Sequence, residues 1–165
     1  MTEIKEAYGQ VGMEEEAGMP EFNELFGAMT AAAVYLTAAM VFVFKLAGMP
    51  RAGYWTGLVE FMMIIPLGYL FISGFENKRP FVYFLQTGLM ISWLCMMLML
   101  DYIRQSEFRK TKWKIIAYTI WFFAGTAGML GVAAKAGGVW LAAAIVMFAS
   151  MTVLTFTQNS AVRRQ

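Results

Sequence analysis

The chain has 165 residues, of which 59% are hydrophobic and 15% charged, with a net charge of +2 and no histidine. Charged residues make up about a quarter of an ordinary globular domain, so this composition excludes a soluble fold and makes the bilayer the solvent. Without histidine much familiar metal, haem and proton-relay chemistry is removed. The lone Cys95 lies in an apolar run, forms no internal disulfide and is expected to be a buried, inert thiol.

Residues 1–24 form an acidic tail carrying Glu3, Glu6, Glu14, Glu15, Glu16, Glu21 and Glu24 against Lys5. It is expected to be flexible. It has neither the basic start nor the apolar core of a secretory signal, so it is expected to be retained. Five apolar stretches follow, at about 25–48, 54–73, 81–103, 113–134 and 139–158. A membrane-spanning helix needs ~20 such residues, which leaves room for short loops and no separate soluble domain. Gly48-Met49-Pro50 ends the first span, since proline cannot continue a helix. Residues 74–80 and 135–138 are expected turns, 104–112 is the one substantial polar loop, and 159–165 form a short basic tail. Strand-like alternation over membrane lengths is absent, which argues against a barrel. The expected fold is all-α: a single five-helix membrane bundle over residues 25–158.

Basic residues near span ends favour the cytoplasmic side. With the 104–112 loop inside, that side holds Lys45, Arg51, Arg104, Arg109, Lys110, Lys112, Lys114, Arg163 and Arg164, against Lys5, Lys78, Arg79 and Lys135 outside. The N-terminus is therefore expected outside and the C-terminus inside. A negative-inside potential favours the same placement of a glutamate-rich tail. Tyr54, Trp55 and Trp113 then fall near the inner interface, and Tyr83 and Trp140 near the outer one.

Lys45, Glu60, Asp101 and Tyr118 come from four different spans and fall at similar depth in the inner half. A carboxylate facing lipid is expensive, so Glu60 is expected to face the bundle, with its charge paired or its proton retained. Two readings follow. In the plainer one Lys45 pairs with Glu60 and staples spans one and two, while Asp101 caps the basic interface. In the sharper one these groups line a polar pocket where Glu60 binds or protonates a ligand or relays a proton.

Asp101, Met97, Leu94, Met90 and Thr87 share one helical stripe of span three, with Gln86 close to its outer end. Tyr118, Trp121, Gly125 and Gly128 share one face of span four. Aromatic bulk beside glycine suits a flat apolar ligand, but also close helix packing, as do Gly131 and the small residues Ala142, Ala143, Ala149 and Ser150 of span five. Pro66 leaves the Met62 carbonyl without its helical donor, one turn after Glu60. The fifteen methionines invite a soft-metal site, yet without histidine or a second cysteine they read as gap-filling apolar side chains. Nucleotide-binding, metalloprotease and nucleophile–histidine signatures are missing, and no internal repeat points to an inverted-repeat transporter.

The run Leu100-Asp101-Tyr102-Ile103, followed by Phe108-Arg109, Trp113, Tyr118 and the 123–131 segment FAGTAGMLG, resembles a family of small uncharacterised prokaryotic membrane proteins. That resemblance implies a multi-pass location in the cell membrane and no particular activity. Gly57-Leu58-Val59-Glu60 is similar to a step in the second helix of DoxX-like proteins. Chain length and tryptophan-bearing spans are similar to the tryptophan-rich sensory and translocator proteins, which bind porphyrins and sterols. Their aromatic–proline motifs are absent, so this similarity is one of architecture.

The leading expectation is binding or transport of a small, largely apolar ligand, with Glu60 and Tyr118 as polar anchors and Trp93 or Trp121 as walls. Lys45, Asp101 and Gln86 complete the candidate residues. The alternative is a non-catalytic subunit or assembly factor of a larger membrane complex, docked through its small-residue faces. A third is acid–base catalysis on a lipid or isoprenoid by Glu60 and Asp101. No metal, cofactor or nucleic acid is called for. The expected partners are membrane lipids, an apolar small molecule, and further copies of the chain or a larger membrane complex.

Overall fold

The computed structural model describes residues 21–103 and 112–162, and all its regular elements are helical. The acidic tail before residue 21, the loop 104–111 and the last residues 163–165 lie outside that range. The elements are α1 (Phe22–Leu46), α2 (Pro50–Met62), α3 (Ile64–Glu76), α4 (Phe81–Met97), a π-helical segment (Leu98–Ile103), α5 (Lys112–Ala134) and α6 (Gly138–Val162). They provide five stretches long and apolar enough to cross a membrane: Phe22–Leu46, Pro50–Glu76, Phe81–Leu100, Ile116–Ala134 and Gly138–Thr157. The protein is thus a helical bundle of multi-pass membrane type.

The turns follow from backbone chemistry. At the end of α1 the Met49 N–H reaches the Phe44 carbonyl at 2.9 Å and the Gly48 N–H reaches Lys45 at 3.3 Å. Gly48 supplies the left-handed conformation this Schellman closure needs, at φ 69°. Pro50 then serves as the first residue of α2, where its missing N–H costs nothing. The second span therefore begins earlier than its apolar run. The same closure ends α3, with Arg79 N–H to Gly74 O at 3.0 Å and Lys78 N–H to Phe75 O at 3.2 Å. Here the left-handed position is filled by Lys78, at φ 47°, and again a proline follows.

The second span is broken at Met63. Pro66 has no N–H for the Met62 carbonyl, and the chain tightens so that the Met63 N–H bonds the Glu60 carbonyl at 3.1 Å before α3 resumes.

Packing centres on α1, which contacts α2, α3, α5 and α6, while α4 closes the arc by packing against α3 and most extensively against α5. Gly27, Ala28, Ala31, Val34, Tyr35 and Ala38 form its buried face. Met29, Leu36, Met40 and Val43 form its exposed stripe. Small residues let the backbones approach closely, the usual basis of helix association in lipid. Tyr35 is fully buried, and its hydroxyl donates to the Thr126 carbonyl of α5 at 2.7 Å.

The α4–α5 contact rests on glycine. A β-carbon at Gly128 would lie 3.2 Å from the Cα and 3.3 Å from the carbonyl oxygen of Gln86, and one at Gly125 would lie 3.4 Å from the Leu89 carbonyl. At Gly131 it would collide with the Gln86 carboxamide. The glycine face of α5 is therefore used inside the bundle. By contrast, Ala142, Ala143, Ala149 and Ser150 of α6 are exposed.

One expectation is corrected. Cys95 is exposed rather than buried, because Thr87, Met90, Leu94 and Met97 take the inward face of α4 and leave Cys95 outside it. Tyr83, in the first turn of α4, is buried: Gly74 leaves room for it and Phe84, and its hydroxyl donates to the Leu70 carbonyl at 3.4 Å.

Gly128→Ala is expected to destabilise the bundle by about 1–3 kcal/mol, since the new methyl meets backbone atoms that cannot swing away. Lys78→Gly should stabilise by about 1 kcal/mol by relieving the left-handed strain. Unfolding equilibria in detergent would check both, and a neutral Gly128→Ala would contradict the close α4–α5 contact.

Candidate functional site

Residues with hydroxyl groups buried in this bundle mostly satisfy themselves. The hydroxyls of Thr30, Thr87, Thr126 and Thr155 each donate to the carbonyl four residues earlier, and Ser73 donates to Leu70. They hide their polarity in their own helices and offer little to a ligand.

Glu60 is different. It is 2% exposed, and among the described residues it is the one acidic or basic side chain that is buried. It sits in the last turn of α2, ~15 Å along the helix from Pro50, where the break at Met63 begins. The sequence expectation that it faces the bundle holds.

Depth along the bundle decides which candidates share its level. Measured from Glu76, Glu60 lies ~24 Å back along the second span, which sets it level with Met97 of α4. Trp93 lies one turn nearer the α3–α4 turn and is 3% exposed. Its ring centroid is 5.1 Å from that of Phe122, which in turn is 6.1 Å from Phe42 of α1. A β-carbon at Gly125 would lie 3.4 Å from the Trp93 Cβ, so the indole stem is backed by bare α5 backbone. The Trp93 Nε1 is buried and has no hydrogen-bond acceptor. Tyr118, one turn before Phe122, is half-buried.

The remaining candidates lie elsewhere. Lys45 is exposed and sits level with Gly53, whose β-position is 3.6 Å from the Lys45 Cγ, ~10 Å along α2 from Glu60. Lys45, Glu60 and Tyr118 each interact with neighbouring groups. Trp121 is 42% exposed, and its Nε1 donates to the Ser92 hydroxyl at 2.9 Å on the bundle surface. Gln86 packs over Gly128 and Gly131, ~10 Å from the level of Trp93. Asp101 falls in the π-helical segment, and its side chain lies outside the described residues.

The opposite end of the bundle carries a polar cluster that sequence reasoning left unassembled. Arg79 donates to the Glu24 carboxylate at 2.9 Å and to Glu21 at 3.2 Å. It thereby ties the α3–α4 turn to the start of α1. Asn23, Glu24, Ser73, Asn77, Arg79, Tyr83 and Lys135 line a crevice of about 10 Å³, the room of one water molecule. The signal was present: Glu21, Glu24 and Arg79 all fall on one side of the expected topology. These pairs draw Asn23 and Glu24 into the helix and start α1 at Phe22, earlier than the apolar run.

No family model, curated protein or solved structure matches the chain. Among the described residues no three His, Cys, Asp or Glu side chains gather as a metal site would require.

The side chains of Glu24 and Glu21 are 19% and 72% exposed. Solvent screens the outer pair, so Glu24→Gln should cost about 1 kcal/mol in unfolding free energy and Glu21→Gln close to nothing. Equal losses would show that burial does not separate the two ion pairs.

Proposed function

We propose that this protein lies in a prokaryotic cell membrane with its N-terminus outside and its C-terminus inside, and that it binds or transports a small, largely apolar ligand in the inner half of the bundle. The observation that carries the functional reading is the burial of Glu60 beside a helix break. A carboxyl group held within a membrane-length helix is costly, and such residues mark ligand and proton pathways. The break at Met63 gives the second span a joint beside the carboxyl group. Trp93, Met97 and Phe122 supply apolar and aromatic walls at neighbouring depth, and Tyr118 a second polar anchor. The orientation rests on the bias of lysine and arginine toward one set of span ends, and the prokaryotic cell membrane on the resemblance of the later spans.

One observation favours a second reading. The small residues Ala142, Ala143, Ala149 and Ser150 on α6 are exposed, as a helix that docks on another membrane subunit would require. The glycine face of α5 is already occupied by α4 and adds nothing to that reading.

Native mass spectrometry of the protein extracted gently with its lipids tests the first proposal. A small molecule retained in stoichiometric amount is the expected result, with Glu60→Gln weakening its retention about 10- to 100-fold, as loss of a hydrogen bond to a charged group does. Undiminished retention by a folded Glu60→Gln protein would remove the carboxyl group from the site. Reproducible capture of a defined membrane protein in place of a small molecule would favour the subunit reading.

A further inference from the structure

Two indoles on the α4–α5 pair are treated in opposite ways. Trp121 reaches the surface and donates its N–H to the Ser92 hydroxyl at 2.9 Å. Trp93 points into the bundle, is 3% exposed, and its Nε1 donates to nothing. An indole N–H is a donor only, and one buried without an acceptor is a standing cost that phenylalanine in the same place would avoid. The Thr126 hydroxyl donates to the Phe122 carbonyl and the Tyr35 hydroxyl to the Thr126 carbonyl, and neither oxygen accepts the indole N–H. The indole packs on an apolar ring, with Phe122 5.1 Å from Trp93, and Phe42 and Phe123 lie 6.1 and 5.2 Å from Phe122 in turn.

We propose that the bound molecule is flat and apolar and carries a carbonyl-type oxygen that accepts the Trp93 Nε1–H, with its plane against the Phe122 ring. The inference rests on the ligand site proposed above and specifies its chemistry. Hydrocarbon shape suits the aromatic walls, and a single acceptor completes the buried side-chain donor left open among the described residues. A pure hydrocarbon leaves that donor unsatisfied. The site therefore selects for an acceptor atom on an otherwise apolar frame.

Two probes of matched bicyclic frame separate shape from hydrogen bonding: menadione, which carries two carbonyl oxygens, and 2-methylnaphthalene, which carries none. Binding of each to the full-length protein in nanodiscs is measured by equilibrium dialysis against empty nanodiscs, for the wild type and for Trp93→Phe. The expected result is a wild-type preference for menadione that falls about 3- to 10-fold in Trp93→Phe, the loss of one neutral hydrogen bond. Without a probe, Trp93→Phe should unfold at the same temperature as the wild type or above it. A preference unchanged by Trp93→Phe, or a variant less stable than the wild type without a probe, overturns the assignment of this donor to a ligand. Equal wild-type binding of the two probes overturns the acceptor chemistry and leaves the proposed ligand site standing. Failure of both probes to bind overturns this inference together with the ligand site on which it rests.

Discussion

Hydrocarbon accepts and donates no hydrogen bonds, and every element of this bundle answers to that fact. Backbone groups close on themselves in helices, which alone among open structures leave no polar edge in the bilayer. Buried threonines fold their hydroxyls back onto the carbonyl one turn earlier. Where proline removes a donor, the chain tightens locally at Met63. Against this thorough satisfaction the open Trp93 N–H stands apart, within about one helical turn in depth of the buried Glu60 carboxyl group.

Attraction between helices in lipid cannot come from hiding apolar surface from water, because the surroundings are already apolar. Close approach takes its place. Gly125, Gly128 and Gly131 bring the α5 backbone against α4, and alanines and Gly27 let α1 sit among four neighbours. Phe42, Trp93, Phe122 and Phe123 form an aromatic cluster that links α1, α4 and α5 beside these glycine contacts.

Much of the vertical arrangement was legible in the sequence. Apolar length gave the five spans, Gly48 and Pro50 marked the first reversal, and Pro66 foretold the break after Glu60. The lateral arrangement was not legible, because depth follows from counting residues while adjacency depends on which faces meet. Trp93 and Trp121 looked interchangeable as walls, yet one is buried and the other bonds Ser92 on the surface. Cys95 sits in an apolar run that reads the same whether it faces protein or lipid. Arg79 meets Glu24 across 55 positions of sequence, a pairing that only the fold creates. The π-helical segment at Leu98–Ile103 has no local cue in propensity.

During synthesis α1 enters the lipid before any of the helices that later cover it. Its buried face must therefore be acceptable to bare hydrocarbon for a time, and Gly27, Ala28, Ala31, Val34 and Ala38 meet that requirement. Thr30 and Thr37 carry their own hydrogen bonds from the moment the helix forms. Tyr35 alone waits: its hydroxyl finds the Thr126 carbonyl only once α5 has arrived. A fully buried residue of the first helix thus registers the insertion of the fourth span.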